Sequence, residues 1–284
     1  VVVATKRGPR AVRARAFVDA TGDADLVFHA GAGWTIGDPG QRQFASMQFV
    51  MQHVDLGAAM VAGPEALNQA IAAHGAHLSR DGGALLPTFR PGEVIGAMTR
   101  VRAPGGGPLD VTDLADATHG ELEGRRLAEE AAAFVREHIP GFAEAFLADT
   151  APALGVRETR RAVGRYVLTG DDVAGLAHFD DSIGAGAWPQ EYHVTGRSTE
   201  YKALPEGGYY QVPLRSLQTD ELPNLFVAGR CISADHDALA STRVMAPSMV
   251  LGQAAGVAGA LLARDELTVG AVQACLQDQG AFLG

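Results

Sequence analysis

The chain has 284 residues but only two cysteines, Cys231 and Cys275. That number excludes a self-contained four-cysteine iron–sulfur or zinc site and provides no disulfide framework. A reducing, cytoplasmic compartment is the expectation. Basic residues are also few, 23 against 33 acidic, for a net charge of -10 with no block of Lys or Arg. A nucleic-acid partner or an anionic membrane surface is therefore not expected. Long apolar runs are scarce too; Val244 to Ala263 is the one stretch of membrane-spanning length. The first residues carry no basic, apolar and small-residue sequence of the kind that directs secretion. What remains is 47% hydrophobic and 20% charged, enough to bury a full core in one large domain or two interleaved ones.

The opening "VVVATKRGPRAVRARA" reads as a hairpin, with Val1 to Ala4 as one strand, "KRGPR" as the turn, and Val12, Ala14 and Ala16 alternating with arginines as the other. A chain that begins inside a hairpin is expected to be the later part of a longer one. "FVDATGDADLVFHAG" then passes from an apolar strand into a loop at Gly22 flanked by Asp19, Asp23 and Asp25, as a parallel strand delivers functional groups at its carboxyl end. "FASMQFVMQHVDL" alternates with Met47, Phe49 and Met51 on one face, which predicts antiparallel strand. Helices are expected over Ala66 to His77 and over the long segment in which Leu127, Ala131, Phe134, Val135 and Ile139 share a face before Pro140 stops it. "GGGP" at 105 to 108 is a surface loop. "YYQVPLRSL" and "LPNLFVAGR" each contain a short strand, the second ending at Gly229.

Two features invite chemistry. Arg157, Arg160, Arg161 and Arg165 fall within nine residues; they form either a solvated basic face or, for one or two of them, a fork that holds an anionic group. The run Val244 to Ala263 contains Gly252 and Gly256 as GxxxG, which suits a membrane span. Pro247, Ser248 and Gln253 within the run, and its dilution by Ala and Gly, favour a buried helix pressed on a sheet, with Pro247 in its first turn and its positive N-terminal end facing a polar or anionic group.

In their order along the chain, "FVDATGDADLVFHAG", "GVRETRRAVGRYVLTGDDV", "PLRSL", "LPNLFVAGRCISADHDALASTRVM" and "GQAAG" resemble the FAD-dependent oxidoreductase family related to the flavoprotein subunit of heterodisulfide reductase, within the glutathione-reductase-like flavoproteins. The likeness spans nearly the whole chain. It implies an α/β fold, a Rossmann-like FAD-binding domain built from both ends, with an inserted α+β substrate domain containing antiparallel sheet. Residues 1–46 would be the tail of the first FAD segment, 47–207 the insertion and 208–284 the second FAD segment. It further implies that Thr21, Gly22, Asp23, Gly229 and Arg230 lie near the dinucleotide, and that Ala246, Gly252 and Gln253 meet the flavin ring or ribityl chain.

One departure stands against the match. No GxGxxG, the turn that seats a pyrophosphate on a helix N-terminus, occurs anywhere in the chain; "GAGWTIG" at 31 to 37 has the wrong last spacing and reads as loop. The recorded residues are thus expected to be the C-terminal two-thirds of such an enzyme, incomplete at the N-terminus of its FAD domain.

His236 and Arg243 are the first candidates for catalysis, His236 to exchange a proton and Arg243 to hold a carboxylate. His193 and Arg160 are expected to approach from the inserted domain. Cys231 reads as a redox thiol or, more simply, a small buried hydrophobe. The expected activity is hydride transfer between a small, anionic organic substrate and FAD, with the electron partner open, no metal, and a homo-oligomer compatible with the sequence. The contrasting reading is a degenerate homologue that binds no flavin and serves as a binding or assembly module.

Overall fold

A computed structural model describes residues 1–37, 40–194 and 196–284. The chain folds into two compact units: Val1–Gly37, Thr159–Glu191 and Tyr201–Gly284 form the first, and Asp38–Glu158 with Tyr192–Glu200 the second. The expected division at 47 and 207 differs from this one, because 159–191 packs with the first unit.

In the first unit, strands Phe17–Asp19 and Leu225–Val227 lie parallel, Phe17 opposite Leu225 and Asp19 opposite Val227. A parallel pair between segments about two hundred residues apart requires a crossover connection. The helix Met245–Ala263 covers this pair. Gly259 sits over it, where an added Cβ would be 3.8 Å from Ala16 and Val18 and 3.9 Å from Phe226. Ala254, Ala255, Ala258 and Leu261 are buried with Phe226, Val227 and Leu251 in one core.

The helix is not buried all round. At 100° per residue, positions 252, 256 and 260 centre on the face opposite 254 and 258, and Gly252, Gly256 and Ala260 are exposed. Met245–Leu262 is long and apolar enough to cross a bilayer by length and composition, and 39% of it is buried in the fold.

The opening hairpin pairs Val2–Thr5 with Gly8–Ala11, so the second strand precedes the expected Val12 to Ala16. The reason is the tight turn at Lys6 and Arg7, fixed by the Thr5 hydroxyl, which donates to the Gly8 carbonyl at 2.7 Å. Trp34–Thr35, in the segment expected to be loop, forms a short antiparallel pair with Arg161–Ala162. Tyr210–Pro213 pairs with Ser182–Gly186, and Pro213 falls at the strand end, where its missing N–H costs no ladder bond.

The second unit is built on a four-stranded antiparallel sheet: Ala84–Pro87, Val94–Ala97, Phe49–Gln52 and Phe146–Thr150, adjacent in that order. Met47, Phe49 and Met51 are fully buried on the face that the alternation predicted. The helix Leu114–His138 is capped by Asp113, whose carboxylate accepts from the N–H groups of Ala115 and Asp116, and ends before Pro140. The helix expected at Ala66 to His77 starts earlier and runs over Leu56–His74 with a break at Gly63, because Asp55 caps it by accepting from Ala58 N–H.

Candidate functional site

The first unit gathers three sequence-distant motifs at the carboxyl ends of its two parallel strands. Asp19, the last residue of its strand, is fully buried. One of its carboxylate oxygens accepts from the Thr21 N–H at 3.1 Å and the Thr21 hydroxyl at 2.7 Å; the other accepts from the N–H groups of Leu26 and Val27 at 2.9 and 3.1 Å. Those bonds hold the loop 20–24, including Gly22 (φ 84) and Ala24 (φ 53), in left-handed conformations that an unsupported loop would resist.

Arg230 arrives from the other strand end, just after Gly229 (φ 78). It donates to the Asp23 carboxylate at 2.7 Å and to the Thr159 hydroxyl at 2.8 Å. Thr159 in turn donates to Asp23, closing a three-membered ring of charge-assisted bonds. The guanidinium lies so close to Gly22 that a Cβ there would stand 2.9 Å from its nitrogens. Glycine is needed at 22 twice over, for the backbone angle and for the neighbour.

Arg160 extends the network. It donates to the Asp23 carbonyl at 2.9 Å, pairs with Asp25, and stacks 4.2 Å over the Phe28 ring. Its guanidinium is thereby engaged in holding the 23–28 segment, a positioning duty. The arginine quartet is split by the fold: Arg157 lies in the second unit and donates to the Phe44 carbonyl at 2.7 Å, Arg160 and Arg161 are buried in the first, and Arg165 pairs with Asp220 at 2.7 Å.

The short helix His236–Thr242 follows, capped by Asp235, which accepts from Ala238 N–H at 2.7 Å and from Gly170 N–H at 3.0 Å. His236 opens it and Arg243 closes it, so the two stand roughly 10 Å apart along the axis. Arg243 donates to the Glu191 carbonyl at 3.1 Å. Underneath, the buried Tyr210 hydroxyl donates to Ser241 at 2.7 Å, whose own hydroxyl donates to the Trp188 carbonyl at 2.6 Å. Burial pushes the Tyr210 phenol up to about 12, so it remains a neutral donor.

The following helix begins at Met245 with no side-chain cap and no acidic residue in its first turn. Its first N–H groups carry the positive end of the dipole. Ala246, Gly252 and Gln253 are exposed along it, and Gln253 donates to Gln279 at 2.9 Å.

Of the residues singled out from sequence, Thr21, Gly22, Asp23, Gly229 and Arg230 come together. His236, Arg243, Ala246, Gly252 and Gln253 belong to the same unit on the two helices that follow. His193 lies in the second unit, where it is buried, its backbone N–H donating to the Gln43 side-chain carbonyl at 3.1 Å and its Nδ1 3.2 Å from the Thr199 hydroxyl. Sequence reasoning placed Asp19 at the strand end without giving it a role and passed over Thr159, whose only signal was a hydroxyl beside Arg160. Cys231 is fully buried, 3.3 Å from the Ala228 carbonyl, and burial pushes its thiol up to about 11, which makes it a small core residue and a poor redox nucleophile. Among the described residues no cluster of three His, Cys, Asp or Glu fit for a metal occurs.

Loops at the carboxyl ends of parallel strands, a glycine-enforced turn and a helix N-terminus without a side-chain cap belong to a protein of the α/β class, in which nucleotide cofactors commonly bind at such strand ends. A sequence-family profile described as FAD dependent oxidoreductase matches residues 1–279. The chain belongs to that family, and is an FAD-dependent oxidoreductase enzyme. No curated protein and no solved structure matches it.

Proposed function

We propose that the chain transfers a hydride between a small, anionic organic substrate and FAD, with the chemistry at the carboxyl ends of strands Phe17–Asp19 and Leu225–Val227. The observation that carries this reading is the convergence of the 21–23 loop, Thr159 and Arg230 at those strand ends. The residues fit a dinucleotide: the uncapped helix start at Met245 and Ala246 offers N–H groups and a positive dipole to the flavin's pyrimidine edge, and Gly252 has open space where a Cβ would stand. FAD, when bound, supplies the two-electron acceptor or donor.

The chain's own residues then have distinct duties. Thr21, Gly22, Asp23, Gly229 and Arg230 would hold the dinucleotide, and Ala246, Gly252 and Gln253 would meet the flavin ring or ribityl chain. Arg160 stiffens that site by fixing Asp23 and Asp25. Arg243 orients a substrate carboxylate, while His236 exchanges the proton that accompanies the hydride.

Two finer proposals follow from the fold. Leu225–Val227 has Phe17–Asp19 on one side and the Gln218–Phe226 bridge on the other, whereas Phe17–Asp19 pairs with no further strand among the described residues. That open edge suits a glycine-rich βαβ unit carrying the GxGxxG that the chain lacks, as in relatives of the heterodisulfide reductase flavoprotein. The compartment that suits two free thiols is the cytoplasm.

An absorbance spectrum after incubation with FAD tests the proposal, taken on the 284-residue chain and on the chain with a glycine-rich βαβ segment joined upstream. Flavin bands that remain after gel filtration in either form support it, and anaerobic bleaching then screens substrates. Neither form retaining flavin would replace it with the reading of a degenerate homologue, a view the missing GxGxxG favours.

A further inference from the structure

The second unit contains a feature that the flavin chemistry does not use. Its helix Leu56–His74 reads LGAAMVAGPEALNQAIAAH, with Glu65 the one acidic residue and no Lys or Arg. A helix that lays one face on a core normally carries polar side chains opposite. Here Met60 and Val61 stand 75% and 90% exposed instead. The helix breaks at Gly63 (φ 70, ψ 175), and Pro64 restarts it, its fixed φ and missing N–H suiting a first helical position.

Gly63 and Pro64 at that break, with Leu67 one turn on, form one wall of a cavity of about 400 Å³; Leu85 from the sheet edge, Ile139 and Phe142 complete it. Its volume falls within the range of small-molecule sites, roughly 300 to 1,000 Å³. Among the described residues Asn68 contributes the only polar side chain to the lining. Beyond Asn68 lies a second hollow whose two charged residues neutralise each other, Arg197 pairing with Asp81 at 2.9 Å and also donating to the Gly75 and Ala76 carbonyls. Among the described residues no charged side chain lines the cavity. A charged occupant would lose its hydration without gaining a partner.

We propose that this cavity is a binding site for an uncharged, mostly hydrocarbon small molecule whose single polar end meets the Asn68 amide. Met60 at the rim supplies a side chain that adapts to different shapes. Because the site lies wholly within the second unit, the proposal stands apart from the flavin reading.

Titration of the 284-residue chain with the neutral fluorophore N-phenyl-1-naphthylamine tests it. Saturable one-to-one enhancement is expected, reversed by 1-decanol and not by decanoate at equal concentration. Ala59→Phe, which fills the lining, should weaken the probe about tenfold, the equivalent of about 1.4 kcal/mol. The exposed Asn68→Leu does not threaten the fold; it should weaken competition by 1-decanol about threefold to tenfold, the worth of one hydrogen bond, while leaving the probe itself unchanged. Non-saturable binding, equal competition by decanoate, or indifference to both substitutions would overturn the proposal. So would a dimer, by light scattering, that excludes the probe until dissociated, since a second copy would then be the occupant.

Discussion

Gly22 and Arg230 should be energetically coupled. At φ 84 an alanine costs about 1–2 kcal/mol from its Cβ alone. Its methyl would also stand 2.9 Å from the Arg230 nitrogens, closer than such contacts allow, so the guanidinium must leave Asp23 and Thr159. Those two bonds are partly solvated, and losing them costs about 1–2 kcal/mol after that screening is counted. Gly22→Ala alone is then expected to cost about 2–4 kcal/mol, Arg230→Ala alone about 1–2 kcal/mol, and the double variant no more than Gly22→Ala. The coupling is about 1–2 kcal/mol. Both tryptophans of the chain, Trp34 and Trp188, lie in the first unit, so their fluorescence in a urea titration follows that unit's unfolding. Free energies that simply add, within about 0.5 kcal/mol, would refute the claim that the two residues compete for one space.

The buried Asp19 holds four donors, so Asp19→Ala, which strands the N–H groups of Leu26 and Val27, should cost about 2–6 kcal/mol, and Asp19→Asn distinctly less, by the same fluorescence assay. Alkaline stability should fall in a defined window. Burial raises Cys231 from 9.0 to about 11 and Tyr210 from 10.0 to about 12, so the native state keeps protons that the unfolded chain releases. Stability from these two groups is complete below pH 9 and is lost as pH rises towards 12, by about 1.4 kcal/mol per group per pH unit within each interval; Tyr210→Phe should remove the upper part of the slope in a series of urea midpoints. In the native protein at pH 8, iodoacetamide should label the half-buried Cys275 and spare Cys231, read by mass spectrometry of peptides, and rapid labelling of Cys231 would contradict its burial.

Local chemistry made much of this legible from the residues. Periodicity located the Leu114–His138 helix and the buried face of Met47, Phe49 and Met51, because burial on one side writes its period into the sequence. The ordered motifs pointed to the FAD-dependent oxidoreductase family and to Gly22 and Arg230. Small residues alone could not say which side of the Met245–Ala263 helix is covered: glycine at 259 meets a sheet, while glycines at 252 and 256 face open space. The helix boundary at Leu56 was hidden by a break that Gly63 and Pro64 spell but do not date to one helix or two.

The sequence by itself determined the elements and the kinds of group available, since propensity, capping and spacing act over a few residues. Tertiary structure alone decided the partners. Thr159 meets Asp23 and Arg230 across separations of 136 and 71 residues, and Arg160, which reads as a free cation in a basic run, is held by carboxylate, carbonyl and ring. Such contacts arise from how the parallel strands are brought side by side, and no local pattern records which distant residue will stand opposite.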